Sequence, residues 1–221
     1  MVGKLIVLDG ADGAGKATQT RLLVERLRSE GHQVRTMDFP RYDTNRFGRL
    51  ICECLDGKRG DFLSLDPKIA SALYAADRFE SSPQLHEWLG AGDSVILDRY
   101  VSANMLHQGG KLADEEELRE FLTWLDDIEH GVFGLPRPDL VLYLEVPFSY
   151  RHHMVQSGQH RTYTDAVDVD QVYQERVEQN ALRLTAHFNE WRTIPCVEAG
   201  ELLSREVIHE RIVQAVLPVL Q

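Results

Sequence analysis

Between the apolar run Leu5-Ile6-Val7-Leu8-Asp9 and a helix-like segment, the stretch Gly10-Ala11-Asp12-Gly13-Ala14-Gly15-Lys16 spaces glycines around one lysine. Those residue types suit the binding of a phosphate chain. Glycines let the backbone curl until successive N–H groups face one point, the following helix adds the positive end of its dipole, and Lys16 supplies a mobile cation. The loop from Gly10 through Ala11, Asp12, Gly13, Ala14, Gly15, Lys16 and Ala17 to Thr18 therefore reads as a triphosphate cradle of the kind that binds ATP. Such loops ordinarily carry Ser or Thr after the lysine, with a hydroxyl for Mg²⁺. Here Ala17 stands in that place.

Three further polar clusters follow. Phe39-Pro40-Arg41-Tyr42 suits a rigid turn that presents a guanidinium to a phosphate. Tyr74 and Arg78 are four apart, so on a helix they share a face and offer an aromatic plane beside a cation. Asp98-Arg99-Tyr100 closes the apolar run Val95 to Leu97, which puts Asp98 where a carboxylate can orient Mg²⁺ and its water.

The elements that must position these groups alternate strand and helix. Strands are predicted at Leu5 to Leu8, Val34 to Met37, Ser94 to Leu97, Leu140 to Leu144 and, more weakly, Pro195 to Glu198. Helices are predicted near Leu22 to Gly31, Arg46 to Leu55, Asp66 to Leu89, Asp114 to His130, Val169 to Trp191 and Ser204 to Val219. The pattern is α/β: a five-stranded parallel sheet in a three-layer α/β/α arrangement, with ligands at the carboxyl ends of the strands. His152 to Asp168 lacks apolar periodicity and reads as a charged surface loop.

With 221 residues and no linker or repeat, residues 1–221 are expected to form one domain. The formal charge of −11 argues against a nucleic-acid partner, since such binding draws on clustered Lys and Arg. Apolar runs are too short for a membrane span, and the amino-terminal residues lack the pattern of a secretory signal, so a cytoplasmic setting is expected. Cys52, Cys54 and Cys196 are read as reduced thiols, and Cys52-Glu53-Cys54 lacks the spacing of a metal pair.

In this order the motifs resemble the thymidylate kinases, P-loop nucleoside monophosphate kinases with an NTPase-type fold and a short lid. Leu8 to Lys16 looks like the family's opening, with Asp9 where glutamate is usual. Phe39-Pro40-Arg41-Tyr42, Asp77-Arg78, Asp98-Arg99-Tyr100 and Leu135-Pro136-Arg137-Pro138-Asp139 follow in the family's sequence. The resemblance implies ATP and dTMP as substrates, Mg²⁺ as cofactor and a homodimer.

It also implies roles. Asp12 would hold the acceptor's sugar or the Mg²⁺ network together with Asp98, Lys16 the β- and γ-phosphates, and Thr18 the nucleotide phosphates. Arg41 and Arg99 would clamp the acceptor phosphate, within a substrate set that also includes Phe39 and Tyr100. Tyr74 stands where the family places an aromatic against thymine, Arg78 would read a base carbonyl, and Asn104 and Gln108 would line the pocket. His107 lies where many members carry tyrosine. The lid, approximately residues 151–168, would bring Arg161 or Arg151 to the transferring phosphoryl, with Asp165 and Asp168 at its end; Gly13 leaves the phosphate loop without an arginine. Two other readings stay open: a kinase for another deoxynucleotide or deoxynucleoside, and a regulatory module that binds ATP without transferring it.

Overall fold

The computed structural model describes residues 3–150 and 171–221. Continuous apolar runs become the inner strands β1 (Leu5–Asp9), β3 (Ser94–Asp98) and β4 (Leu140–Glu145), whose central residues are buried. Helices must therefore cover both faces. The shorter apolar patterns of β2 (Val34–Asp38) and β5 (Trp191–Pro195) bury fewer residues and lie at the edges. All five pair in parallel in the order β2-β3-β1-β4-β5. Connections from the neighbours β1 and β3 run in different directions, which opens a cleft at their carboxyl ends.

Alternation along the strands sorts the core into two layers. On one face Ile6, Leu8, Ile96 and Leu142 meet Leu23 and Leu27 of α1 (Lys16–Ser29) and Ile212 and Val216 of α7 (Arg205–Leu220). On the other, Leu5, Val7, Val95 and Leu97 meet side chains from α3 (Pro67–Gly90), α4 (Val101–His107), α5 (Glu115–Asp126) and α6 (Gln171–His187). Truncating one of these core leucines to alanine would cost about 2–5 kcal/mol, enough to move the whole sheet's stability. The helix α2 (Arg46–Leu55) packs on α3 around Cys54, Phe62 and Ala70.

Local signals set the ends. Asp66 accepts from the amides of Lys68 and Ile69 ahead of Pro67, and Asp114 does the same for Glu116 and Glu117. At the other end of α1, Gly31 adopts φ +91°, the left-handed turn that glycine permits.

Four boundaries depart from the sequence reading, the first being the helix expected to reach Trp191, which ends at His187 because Trp191 opens the strand β5. The fifth strand runs over Trp191–Pro195, before the predicted segment, because Trp191 and Ile194 are the residues that face the core. Val197–Glu198 instead forms a small hairpin with Glu201–Leu202, turned by Ala199 and Gly200 at positive φ. The predicted helix to His130 stops being α-helical at Asp126 and continues as a π-helical turn, Asp127–Val132. Helix α4 was not expected. The expected start of α6 and the Asp168 cap lie outside the described residues, as does the lid.

Candidate active site

The loop after β1 owes its shape to backbone freedom. Gly10, Gly13 and Gly15 hold φ of 148°, 79° and 87°, and a Cβ on Gly10 would sit 2.9 Å from the Leu144 carbonyl oxygen. Helix α1 then begins at Lys16 with no side-chain cap. The amides of Gly13, Gly15, Lys16, Ala17 and Thr18 have no acceptor among the described residues. Unpaired donors at a helix start form an anion site. Lys16 Nζ lies over the loop, donating to the carbonyls of Gly10 at 3.0 Å and Ala11 at 2.9 Å. Ala17 is exposed and Thr18 half-buried.

Burial, with Arg99 nearby, pulls the Lys16 ammonium down to about 8 despite Asp12, Asp98 and Asp9. An anion between Lys16 and Arg99 would offset both effects by favouring the charged ammonium. Burial works against the Arg99 guanidinium too, but Asp12, Asp9 and Asp98 outweigh it and hold the group firmly charged. Arg99 has φ 66°, a strained conformation for a side chain of this size. That backbone turn aims its guanidinium across the cleft. Nη2 donates to Asp12 Oδ1 at 2.6 Å, and Nη1 meets His107 Nε2 at 3.0 Å.

Asp9 and Asp98 end adjacent strands. Asp9 is buried and already occupied, accepting from Ser102 Oγ at 2.6 Å and from the Gly10 amide at 2.8 Å. Asp98 is half-buried, and its carboxylate accepts no hydrogen bond from a described residue. Burial raises the Asp98 carboxyl, while Lys16 and Arg99 oppose the rise. Among the described residues no three His, Cys, Asp or Glu side chains cluster to hold a metal, and a divalent ion here would meet the Asp98 carboxylate, with Asp12 engaged by Arg99 and no hydroxyl from Ala17. That set suits Mg²⁺, which keeps several waters and takes few protein ligands.

Beyond the loop, Asp77 shapes the Phe39-Pro40-Arg41 turn. Its carboxylate accepts from the Arg41 amide at 3.0 Å and from Asn45 Nδ2 at 2.9 Å. Gly48 lets α2 approach, since a Cβ there would meet the Arg41 carbonyl oxygen at 2.1 Å. The Arg41 side chain is half-buried and makes no hydrogen bond with a described residue. Phe39 and Tyr100, expected at the substrate, are core residues. Their rings lie 6.0 Å apart, and Tyr100 Oη donates to the Pro136 carbonyl.

Tyr74 and Arg78 share one face of α3, with the Tyr74 ring 5.9 Å from Phe62. Arg78 is buried, and its guanidinium is held by Glu129 of the π-helical turn, with Nε and Nη2 each 2.6 Å from the carboxylate. Nη1 donates to the Tyr100 carbonyl at 3.2 Å. Asn104 Nδ2 donates to Glu129 Oε1 and to the Ser71 carbonyl. Two buried atoms beside this network, Ser71 Oγ and Gln108 Oε1, have no hydrogen-bond partner among the described residues. Buried polar atoms left unsatisfied are positions that a bound water or a polar ligand group would satisfy.

Sequence reasoning missed Glu129, Ser71, Asn45 and Ser102. Glu129 lies in the acidic run after α5, which looks like a solvated face, and only the fold brings it to Arg78. Arg151, Arg161, Asp165 and Asp168 lie outside the described residues.

The family model described as thymidylate kinase matches residues 8–210. A thymidylate kinase of Mycobacterium tuberculosis is 35% identical over 142 residues, which span 64% of this chain and 65% of that one. The Schizosaccharomyces pombe thymidylate kinase is 30% identical over 214 residues, 97% of this chain and 91% of its own length. Among solved structures, a Candida albicans thymidylate kinase described as having broad substrate specificity superposes with a TM-score of 0.77 at 22% identity, covering 100% of this chain and 94% of that one. That structure supports the fold.

Proposed function

The chain belongs to the thymidylate kinase family, and from that premise we propose that it transfers the γ-phosphoryl group of ATP to dTMP, giving ADP and dTDP in the route to dTTP. One observation carries the reading: Arg99 bonds the donor loop through Asp12 while touching His107 of α4 on the acceptor side. The guanidinium thus stands between two anion sites, where a transferring phosphoryl would pass. Two negatively charged groups must meet in line, so catalysis consists mainly of positioning and neutralisation. The amides of Gly13, Gly15, Lys16, Ala17 and Thr18, with the Lys16 ammonium, receive the β- and γ-phosphates. Arg41 and Arg99 receive the acceptor phosphate. Tyr74 offers a stacking plane for the base, with Arg78, Asn104 and Gln108 along its edge.

Mg²⁺ would be held by Asp98, with Asp12 nearby, and would neutralise charge on the donor phosphates. The same proposal takes residues 1–221 as one domain, residues 151–168 as a lid carrying Arg161, and the cytoplasm as the working place. It includes a homodimer, supported by exposed Ile69 and Phe79 on α3 and exposed Val132 on the π-helical turn. Among the described residues no helix is long and apolar enough to cross a membrane.

The test is ADP release from ATP and Mg²⁺ against a panel of nucleoside monophosphates. Release that depends on dTMP is expected. Folded protein that releases ADP with none of the panel would leave an ATP-binding module instead.

A further inference from the structure

Glu129 takes no part in the phosphoryl transfer outlined above, yet its carboxylate is fully buried and organises two residues of the acceptor pocket. It accepts from Arg78 Nε and Nη2 at 2.6 Å each and from Asn104 Nδ2 at 3.0 Å. The second hydrogen of Asn104 Nδ2 goes to the Ser71 carbonyl at 3.2 Å. With both amide hydrogens engaged, the Asn104 side chain can offer a ligand only its oxygen. Flipping the amide would set that oxygen against a carboxylate and a carbonyl, both acceptors, so the orientation is enforced.

Arg78 is constrained in the opposite sense. Three of its N–H groups are engaged by Glu129 and the Tyr100 carbonyl, and the remaining ones can only donate. Pairing with the carboxylate also neutralises the guanidinium. Arg78 therefore meets an uncharged base rather than competing with Arg41 and Arg99 for the phosphate. Asn104 Nδ2 donates to the Ser71 main-chain carbonyl, and the Asn104 main-chain carbonyl accepts from the Gln108 main-chain N–H one helical turn on, so the two residues whose side-chain oxygens are unsatisfied are its bonded neighbours along the backbone.

We propose that Glu129 is a positioning residue that sets the hydrogen-bond polarity of the base pocket, holding Arg78 as donor and Asn104 as acceptor. A pyrimidine that presents a ring carbonyl beside an N–H, as thymine and uracil do, matches that order. Cytosine presents an amino group beside a bare ring nitrogen and meets it reversed. The inference rests on reading the cleft as a nucleoside monophosphate kinase site.

The experiment compares kcat and KM for dTMP and dCMP, at saturating ATP and Mg²⁺, in wild type and Glu129→Gln. The glutamine keeps the size but turns one acceptor into a donor, which removes the carboxylate from the pair of acceptors that hold Asn104 and leaves only the Ser71 carbonyl. The expected result is a fall of about tenfold or more in the dTMP to dCMP ratio of kcat/KM, the scale of one misplaced base-edge contact, carried by the dTMP KM with the ATP KM unchanged. A ratio within about twofold of wild type, even in a less stable protein, would make Glu129 merely structural and overturn the proposal. Should Glu129→Gln show no cooperative melt, Glu129→Asp gives the same reading. Its shortened carboxylate cannot reach both Arg78 and Asn104, so an unchanged ratio in folded Glu129→Asp also overturns it. Wild type that uses dTMP and dCMP equally refutes the inference while phosphoryl transfer stands. Wild type that uses neither refutes the reading of the cleft and this inference with it.

Discussion

In the loop between β1 and α1, the groups that receive an anion come from one run of residues, Gly10 to Thr18, and most are main-chain amides. In the pocket behind α4 the polar groups that would meet an uncharged base come from α3, α4 and the π-helical turn, and they belong to side chains. The difference governs how each region fails. A backbone cradle tolerates changes of side chain such as Ala17, because the donors belong to the peptide groups. A relay of buried side chains has no such tolerance, since removing one partner leaves another polar group unpaired in a low dielectric.

The sharpest break of that contrast is at Lys16 and Arg99, the side-chain cations beside the backbone cradle. Lys16→Ala and Arg99→Ala are each expected to lower kcat by about 10²-fold or more, the loss of one preorganised charge partner, while Ala17→Ser changes it little. Stopped assays of ADP formation on folded protein check this. Equal effects from Lys16→Ala and Ala17→Ser would erase the distinction between backbone and side-chain recognition.

A second break targets the turn that carries Arg41. Gly48→Ala places a methyl 2.1 Å from the Arg41 carbonyl oxygen and 2.9 Å from Asp77 Oδ1, both on the acceptor side. The overpacking should cost about 1–3 kcal/mol in denaturant unfolding, and the dTMP KM should rise with the ATP KM unmoved. An alanine accepted without loss would mean that α2 does not brace the turn.

The smallest effect is a pH dependence confined to the loop. Lys16 is lowered from 10.5 to about 8, so the ammonium that phosphate needs is half lost near pH 8 and kcat/KM for ATP should fall through that region. Stability should move the other way. Between about 8 and 10.5 the unfolded chain holds the proton that the folded chain has released, so this group's contribution to stability rises with pH. Parallel rate and melting profiles check the pair of signs. A fall of both together would place the titration elsewhere.

The same contrast explains what the sequence made legible. Contiguous features were readable: the glycine loop, the apolar runs of β1, β3 and β4, the bounds of α2, and the shared face of Tyr74 and Arg78. Features that depend on distant partners were not. Nothing near Arg78 announces Glu129, 51 positions on, and nothing near Phe39 or Tyr100 says that each packs on the other rather than facing the cleft. Asp12 and Asp98 were both assigned to the metal, but the close Arg99 partner distinguishes them, and only the fold supplies it. Strand β5 was displaced for a related reason: its pattern is set by which residues meet α6 and α7, and Pro195 marks its end rather than its start.

Initial rates with both substrates varied, in wild type and Arg41→Ala, test the two-site account most directly. The account predicts dTDP formation by wild type, and in the variant a raised KM for dTMP with the KM for ATP unchanged. A variant in which both constants rise together, or neither does, would contradict a division of the cleft into a donor loop and a separate acceptor site.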